Sequence, residues 1–384
     1  MRLYLHAEEP DAGTPSRCQG GSVPPELATR IARAHVLAPG AGLALVVSVA
    51  TLASSRLAAT TTGIVVSPLV LAMLLGAALG SLVRGPDGPE RVLRTGLDLT
   101  ARTILRTGVV LLGLELSLGH LLALGWRGLA VIAITVASTF SGTLALGRLL
   151  HVPALTRLYV ATGFAICGAV AIAAMRGVVA GPSAGDPAAQ GAVDRTTDSS
   201  QDALGTALAL VTVYGSIAIA VMPLVAAAVG LTDTQSGLWI GASVQEVAQV
   251  VAAAGVVSGT ALAAATVAKL SRVVLLAPLL ATVSVVRTGG AASVEGSGRP
   301  TLVPGFVLGF LGAVLLRSTG VLPDTVLDVA GSVRDVLLAA AMFALGTSVD
   351  VVRLVRTGRR ALALGAAAAT LCAGVGLVAT VVLT

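Results

Sequence analysis

The chain has 384 residues, 55% of them hydrophobic and only 11% charged, with a mean hydropathy of +0.92. A soluble domain of that length would be about one-quarter charged, so a water-soluble fold is excluded and an all-α polytopic membrane protein is expected. The net charge of +6 reads as membrane topology rather than nucleic-acid binding. The three scattered cysteines, Cys18, Cys167 and Cys372, offer neither a disulfide framework nor metal-ligand spacing.

Residues 1–35 are rich in Pro, Gly and mixed charge and lack the apolar block of a signal peptide, so they read as a flexible tail. From there to the end the chain reads as one transmembrane domain, 36–384. Eleven apolar segments follow, near 36–55, 63–83, 103–119, 125–147, 157–179, 203–229, 236–258, 261–286, 301–320, 330–349 and 360–383. The third and tenth are crowded by Arg102 and Arg106 and by Arg334 and Asp335, which suits tilted or interrupted helices. The stretch 177–202, rich in Gly, Pro, Ser and Asp, reads as an extended outer loop. If all eleven segments cross and the N-terminus is cytoplasmic, 17 Lys and Arg fall inside and 8 outside. That asymmetry favours a plasma or inner-membrane protein with its N-terminus in and its C-terminus out.

Two stretches echo each other. LLGLELSLGHLLALGWRGLA (111–130) and FALGTSVDVVRLVRTGRRALA (343–363) share glycines twelve apart, Gly113 and Gly125 against Gly346 and Gly358. Under this topology the two copies cross in opposite directions, as an inverted repeat requires. Chance similarity among Leu, Ala and Gly is the competing explanation.

The seventh segment, IGASVQEVAQVVAAAG (240–255), carries a carboxylate, Glu246, between Gln245 and Gln249. Trp239 reads as an interface anchor. Seven residues further on, Glu246 would lie roughly 10 Å deeper on a continuous helix. A charge at that depth should face protein or water. On one helix Ala242, Gln245, Glu246, Gln249 and Ala253 share a stripe, which reads either as a polar lining with a titrating carboxylate or as a structural Glu paired with a cation. The eighth segment places Lys269 and Arg272 three apart, on one face, where they could bind an oxyanion or snorkel to the interface. The fifth, TGFAICGAVAIAA (162–174), carries Gly163 and Gly168, which suit either an interrupted helix presenting backbone N–H groups or tight packing. Cys167 reads as a small packing residue.

No Walker A loop, HExxH or GxSxG pattern occurs. An enzyme is therefore not expected, nor is any cofactor or metal.

Three segments together, ATGFAICGAVAIAA, IGASVQEVAQVVAAAG running into ATVAKLSRVVLLAPLL, and AAAMFALGTSVDVVRLVRTGRRALALG, resemble a family of uncharacterised bacterial multi-pass membrane proteins that goes by the name of sulfate exporters. The resemblance spans about residues 36 to 384. It implies efflux of sulfate or a related small anion. Through a distant likeness to sodium/proton antiporters and bile-acid-type symporters, it also implies inverted repeats with interrupted helices. Carried over by position, the family's polar motif falls on Ser243, Glu246, Gln249, Lys269 and Arg272. The family usually has His before the Glu. Here Gln245 stands in its place, and Gln does not titrate as His does. The expectation is a secondary transporter of a small, sulfur-containing anion with a proton-coupling role for Glu246. Its partners would be that anion and membrane lipid, with no nucleic acid, and a homo-oligomer is left open. The rivals are a sodium-coupled carrier of an organic anion and a non-transporting membrane sensor or scaffold.

Overall fold

In hydrocarbon every backbone N–H and C=O must find a partner inside the protein, and long runs of Leu, Ala and Val meet that demand as helices. The computed structural model describes residues 25–62, 68–83, 96–97, 100–180, 190–287, 305–347 and 358–384, and all regular structure in them is helical. The first 24 residues of the expected tail lie outside that set. Its remainder belongs to α1 (Pro25–Thr62), which is followed by α2 (Pro68–Val83). The third segment is interrupted, as its arginines suggested. A π-helical turn at Thr100–Ile104 leads into α3 (Leu105–Leu112) and a 3-10 turn at Gly113–Glu115. A short α4 (Leu118–Ala123) precedes α5 (Gly125–Leu149). Next come α6 (Ala154–Ala165), α7 (Ala169–Ala180) and the long α8 (Gln190–Val229). Then follow α9 (Asp233–Ser243), α10 (Val247–Val257), α11 (Gly259–Val274) and α12 (Leu276–Arg287). The chain closes with α13 (Gly305–Ser318), α14 (Asp324–Gly346) and α15 (Arg359–Leu383).

All eleven apolar segments are helical within their described residues, but the fifth and seventh turn back. Gly163 in α6 packs on the side chain of Ile172 in α7. Nine residues apart, the two would be separated by roughly 14 Å along a straight helix, so the chain folds back at 166–168. In the seventh segment, Gly237 of α9 packs on Ala261 and Ala264 of α11, and Gly241 packs on Ala265 and Ala268. Helices α9 and α11 therefore run side by side in the same direction. That is possible only if α10 returns to the face where α9 began. Accordingly, Ala253 and Ala254 of α10 share a buried apolar cluster with Trp239 and Ile240 of α9 and with Met222 and Ala226 near the end of α8.

The remaining directions close the topology. Helices α5 and α15 are antiparallel, since Gly147 packs on Leu364, Gly142 on Leu371, and Gly376 beside Thr135. Helices α2 and α14 run together, with Gly76 against Phe343 and Gly80 against Thr347. The Leu118 N–H donates to Ser318 Oγ at 2.8 Å, which brings the ends of the third segment and of α13 to one face. Among the described residues nine segments thus run from one face to the other, namely α1, α2, the interrupted third, α5, α8, α11 with α12, α13, α14 and α15, and six of them, α1, α5, α8, α11 with α12, α14 and α15, are long and apolar enough to cross a membrane as helices. The hairpin α6–α7 enters from the near face, where α1 begins, and α9–α10 enters from the far face, where α15 ends.

Three expectations change with this topology. The stretch expected as an outer loop, 177–202, is helical up to Ala180 and again from Gln190, and it joins elements at the near face, because α7 returns there. Trp239 is no interface anchor: it is 2% exposed and its Nε1–H donates to Ala373 O at 2.8 Å, tying α9 to α15. Trp126, 71% exposed, stands at the far-face start of α5. The polar stripe of the seventh segment is broken at 244–246, so Gln245 and Glu246 lie in a turn rather than on a helix face.

The charge distribution sharpens as well. Of the Lys and Arg among the described residues, Arg56, Arg127, Arg317 and Arg334 belong to the far half, Lys269 and Arg272 sit midway, and the other eleven belong to the near half. Arg334 lies within α14, which runs unbroken from Asp324, and pairs with Glu115 and Asp335. The two copies of the suspected repeat share a feature at their second glycines. Gly125 begins α5 and Gly358 precedes α15, each a helix of 25 residues. Residues 348–357 of the second copy lie outside the described set.

Helices α1, α2, α3, α13 and α14 pack on one another as one layer. The two hairpins pack among α5, α8, α11 and α15 as another. Thr212 Oγ1 on α8 donates to Met73 Sδ on α2 at 3.1 Å, a contact between the two layers.

Candidate functional site

The hairpin tips meet at the middle of the bundle, and their local structure follows from sequence. Helix α6 ends at Ala165, and Gly168 then adopts φ +82°, a conformation glycine takes without strain. Its N–H returns to Gly163 O at 3.0 Å. In the second hairpin Val244 and Glu246 are extended, with φ/ψ of −70/146° and −103/144°. The tips correspond in position: Gly163-Phe164-Ala165-Ile166-Cys167-Gly168 stands where Gly241-Ala242-Ser243-Val244-Gln245-Glu246 stands in the other. Each arm has 11 or 12 residues, about half a bilayer at 1.5 Å per residue.

Each tip presents one helix C-terminus and one helix N-terminus, so carbonyls and amides must both be satisfied away from water. The carbonyls are met by α11. Lys269 Nζ donates to Ile166 O at 2.9 Å and to Val244 O at 2.7 Å. Arg272 Nη2 donates to Phe164 O at 2.6 Å and Ala165 O at 2.7 Å, its Nε to Ala165 O at 3.1 Å, and its Nη1 to Val244 O at 3.3 Å. Both side chains are 0% exposed. They complement the negative ends of two helix dipoles and do not snorkel to an interface. Cys372 Sγ adds a weak contact to Ser243 O at 3.4 Å.

The amides are met by the second tip. Glu246 Oε1 accepts from Ala169 N–H, the first residue of α7, at 2.8 Å. The Glu246 N–H donates to Gln249 Oε1 at 3.2 Å, and Gln249 Nε2 donates to Thr212 O at 3.4 Å. Gln249 fills the space where a Cβ on Gly215 would stand, so Gly215 lets the amide reach α8. Glu246 is half-buried whereas Gln249 is fully buried.

The other residues singled out by sequence are all nearby. Ser243, 3% exposed, donates to Cys372 O at 3.4 Å. Gln245, 2% exposed, donates to Ser243 O at 3.1 Å, and its Oε1 has no partner among the described residues. Gly163 packs between Ile172 and Val211, and Gly168 lies against the Glu246 carboxylate. Sequence reasoning did not find Ala169, Thr212, Gly215 and Cys372. Only Gly215 left a mark in the sequence, as a small residue on an apolar helix. No group of three or more His, Cys, Asp or Glu able to hold a metal occurs among the described residues.

This constellation lies within the stretch shared with known proteins. A family model described as Conserved hypothetical protein 698 matches residues 41–365. A UPF0324 membrane protein of Corynebacterium glutamicum is 40% identical over 316 residues, covering 82% of this chain and 85% of that protein. The chain belongs to the UPF0324 membrane protein family. The UPF0324 membrane protein TauZ of Paracoccus pantotrophus is 36% identical over 297 residues, covering 77% of this chain and 82% of its own. A UPF0324 member from Pseudomonas putida is 35% identical over 320 residues, covering 82% and 85%. No solved structure matches. The family match takes in both hairpins together with α11, so the whole tip junction falls within it.

Proposed function

We propose that this UPF0324 member is a secondary transporter that exports a small inorganic or sulfur-containing anion, such as sulfate, with proton coupling through Glu246. The observation that carries the reading is the half-buried Glu246 carboxylate bonded to the head of α7 in the middle of the bundle. Ionisable groups at such depth are mostly functional. Opposed re-entrant hairpins are a form of irregular backbone that membranes tolerate only where it is buried in protein or lines a cavity. In this reading the amide end of α7 draws the anion, and the Glu246 carboxylate holds that end until it takes a proton. Lys269 and Arg272 act from behind, fixing the tips. No covalent chemistry is assigned to the site. The near face, which carries most of the basic residues among those described, is the cytoplasmic one in this reading.

The test is flux of labelled sulfate, sulfite, thiosulfate and taurine in proteoliposomes across an imposed pH gradient. Accumulation driven by the gradient and lost with an uncoupler supports the reading. An absence of flux for every anion, with a co-purifying partner protein, would instead favour a sensor or scaffold.

A further inference from the structure

Two carbonyl oxygens, one from each hairpin, converge on a single point in the membrane interior. Ile166 O and Val244 O occupy matching places in the two tips, each one residue past the end of its first arm. Helix C-termini carry the negative end of the backbone dipole, and two of them facing one point make a ligand set for a small monovalent cation. In this chain the point is filled. Lys269 Nζ stands 2.9 Å from one oxygen and 2.7 Å from the other, on a side chain that is 0% exposed. Arg272, one helical turn further along α11, shares Val244 O and takes up Ala165 O and Phe164 O.

We propose that Lys269 is a resident cation: its ammonium occupies the carbonyl junction between the hairpins in place of an alkali ion, and the protein binds no sodium or potassium there. The electrostatics support this independently of what is transported. The junction already holds the cationic ends of Lys269 and Arg272 against the single Glu246 carboxylate, and a further cation would be repelled in so poorly screened a place. The same bonds give Lys269 a mechanical role, because one ammonium joins the tip of a hairpin from the near face to one from the far face. A diffusible ion would leave that joint dependent on its concentration. A tethered ammonium keeps it permanent.

The experiment uses purified protein in detergent, with its thermal unfolding followed in sodium, potassium, ammonium, propylammonium or N-methylglucamine chloride at constant ionic strength. The wild type is expected to unfold at the same temperature in all five, since its junction is already occupied. Lys269→Ala is expected to unfold several degrees lower in N-methylglucamine. It should recover in a saturable manner with ammonium or propylammonium, because a ligand that binds only the folded form stabilises it by mass action. A wild type that gains stability saturably in sodium over N-methylglucamine overturns the proposal. So does a folded Lys269→Ala that no cation rescues. Should Lys269→Ala fail to fold, Lys269→Met, which keeps the bulk of the stem, takes its place, and the wild-type comparison decides in either case. The readout is stability, so its result stands apart from whether any anion is carried.

Discussion

The Glu246 carboxylate accepts a hydrogen bond from the backbone N–H of Ala169 at 2.8 Å, joining the turn of one re-entrant hairpin to the first turn of the other hairpin's return arm. The two residues lie 77 apart in sequence. The contact gives the head of α7 an internal anion, so the chain itself supplies what a bound substrate would otherwise offer that helix end. It also sets the terms on which a proton could matter, because protonation removes the negative charge while leaving the side chain in place.

Glu246→Gln keeps an oxygen able to accept from Ala169 but cannot change charge. The variant is expected to insert and purify like the wild type, with a loss of stability of no more than about 1–2 kcal/mol, the worth of a charged over a neutral hydrogen bond. Its transport, where any remains, is expected to be flat with pH over the range in which the wild type varies. Flux measured at a series of internal and external pH values checks this, and an unchanged pH profile would remove Glu246 from the coupling step.

Gly168→Ala should act on the same contact from the other side. Gly168 sits at φ +82° and a Cβ there would overlap the Glu246 carboxylate. The backbone cost alone is about 1–2 kcal/mol, and displacement of the carboxylate adds to it. Gly215→Ala should displace Gln249 instead, severing its links to Thr212 O and Glu246 N–H. Both variants are expected to lower the unfolding temperature and the rate of transport. In Gly215→Ala the pH profile is expected to be retained, because the titrating group is untouched. Thermal unfolding and flux on the same preparations separate the two effects.

Much of this site was legible in the sequence, though its architecture was less so. A carboxylate among Leu, Ala and Val is conspicuous because burial of charge is costly, and Gly163 and Gly168 marked a weak point in their helix. What hydropathy could not distinguish is a segment that crosses from one that turns back. Two arms of 11 or 12 residues with a three-residue turn have the length and composition of a single span. The pairing of Lys269 and Arg272 with backbone carbonyls left no trace in side-chain chemistry, since every residue type has a carbonyl. Their spacing could equally have suited an anion, and only the tertiary arrangement shows which oxygens take up their donors.

Arg272→Ala removes four hydrogen bonds to backbone oxygens without providing any substitute. Only part of that loss is repaired by Lys269, which shares Val244 O alone. Each buried carbonyl left unsatisfied costs about 1–3 kcal/mol, so with Phe164 O and Ala165 O both losing Arg272 a loss of at least about 2 kcal/mol is expected, enough to reduce the yield of folded protein. Arg272→Lys should fall between, because a single ammonium cannot replace a planar fork that reaches both tips. Unfolding temperatures in the order wild type, Arg272→Lys, Arg272→Ala would support this role. Equal stability of all three would show that the carbonyls find other partners.

The re-entrant topology makes a prediction about faces that separates it cleanly from eleven crossings. With both hairpins turning back, Ser199 in the first part of α8 lies on the same side as the N-terminus, and Thr234 at the exposed start of α9 lies on the opposite side. With eleven crossings the two assignments are exchanged. Ser199→Cys and Thr234→Cys, each in a chain with Cys18 replaced by Ser, can be labelled with a membrane-impermeant maleimide in intact cells and in inverted vesicles. Cys167 and Cys372 are buried in the bundle and are not expected to compete. Because most of the described basic residues lie on the near half, that half is expected to face the cytoplasm. Labelling of Thr234→Cys in intact cells, and of Ser199→Cys only after inversion, is the expected result. The reverse pattern would mean either that both hairpins cross or that the whole bundle is inserted the other way. An N-terminal tag decides between those two: it stays cytoplasmic if the hairpins cross and faces outward if the bundle is inverted.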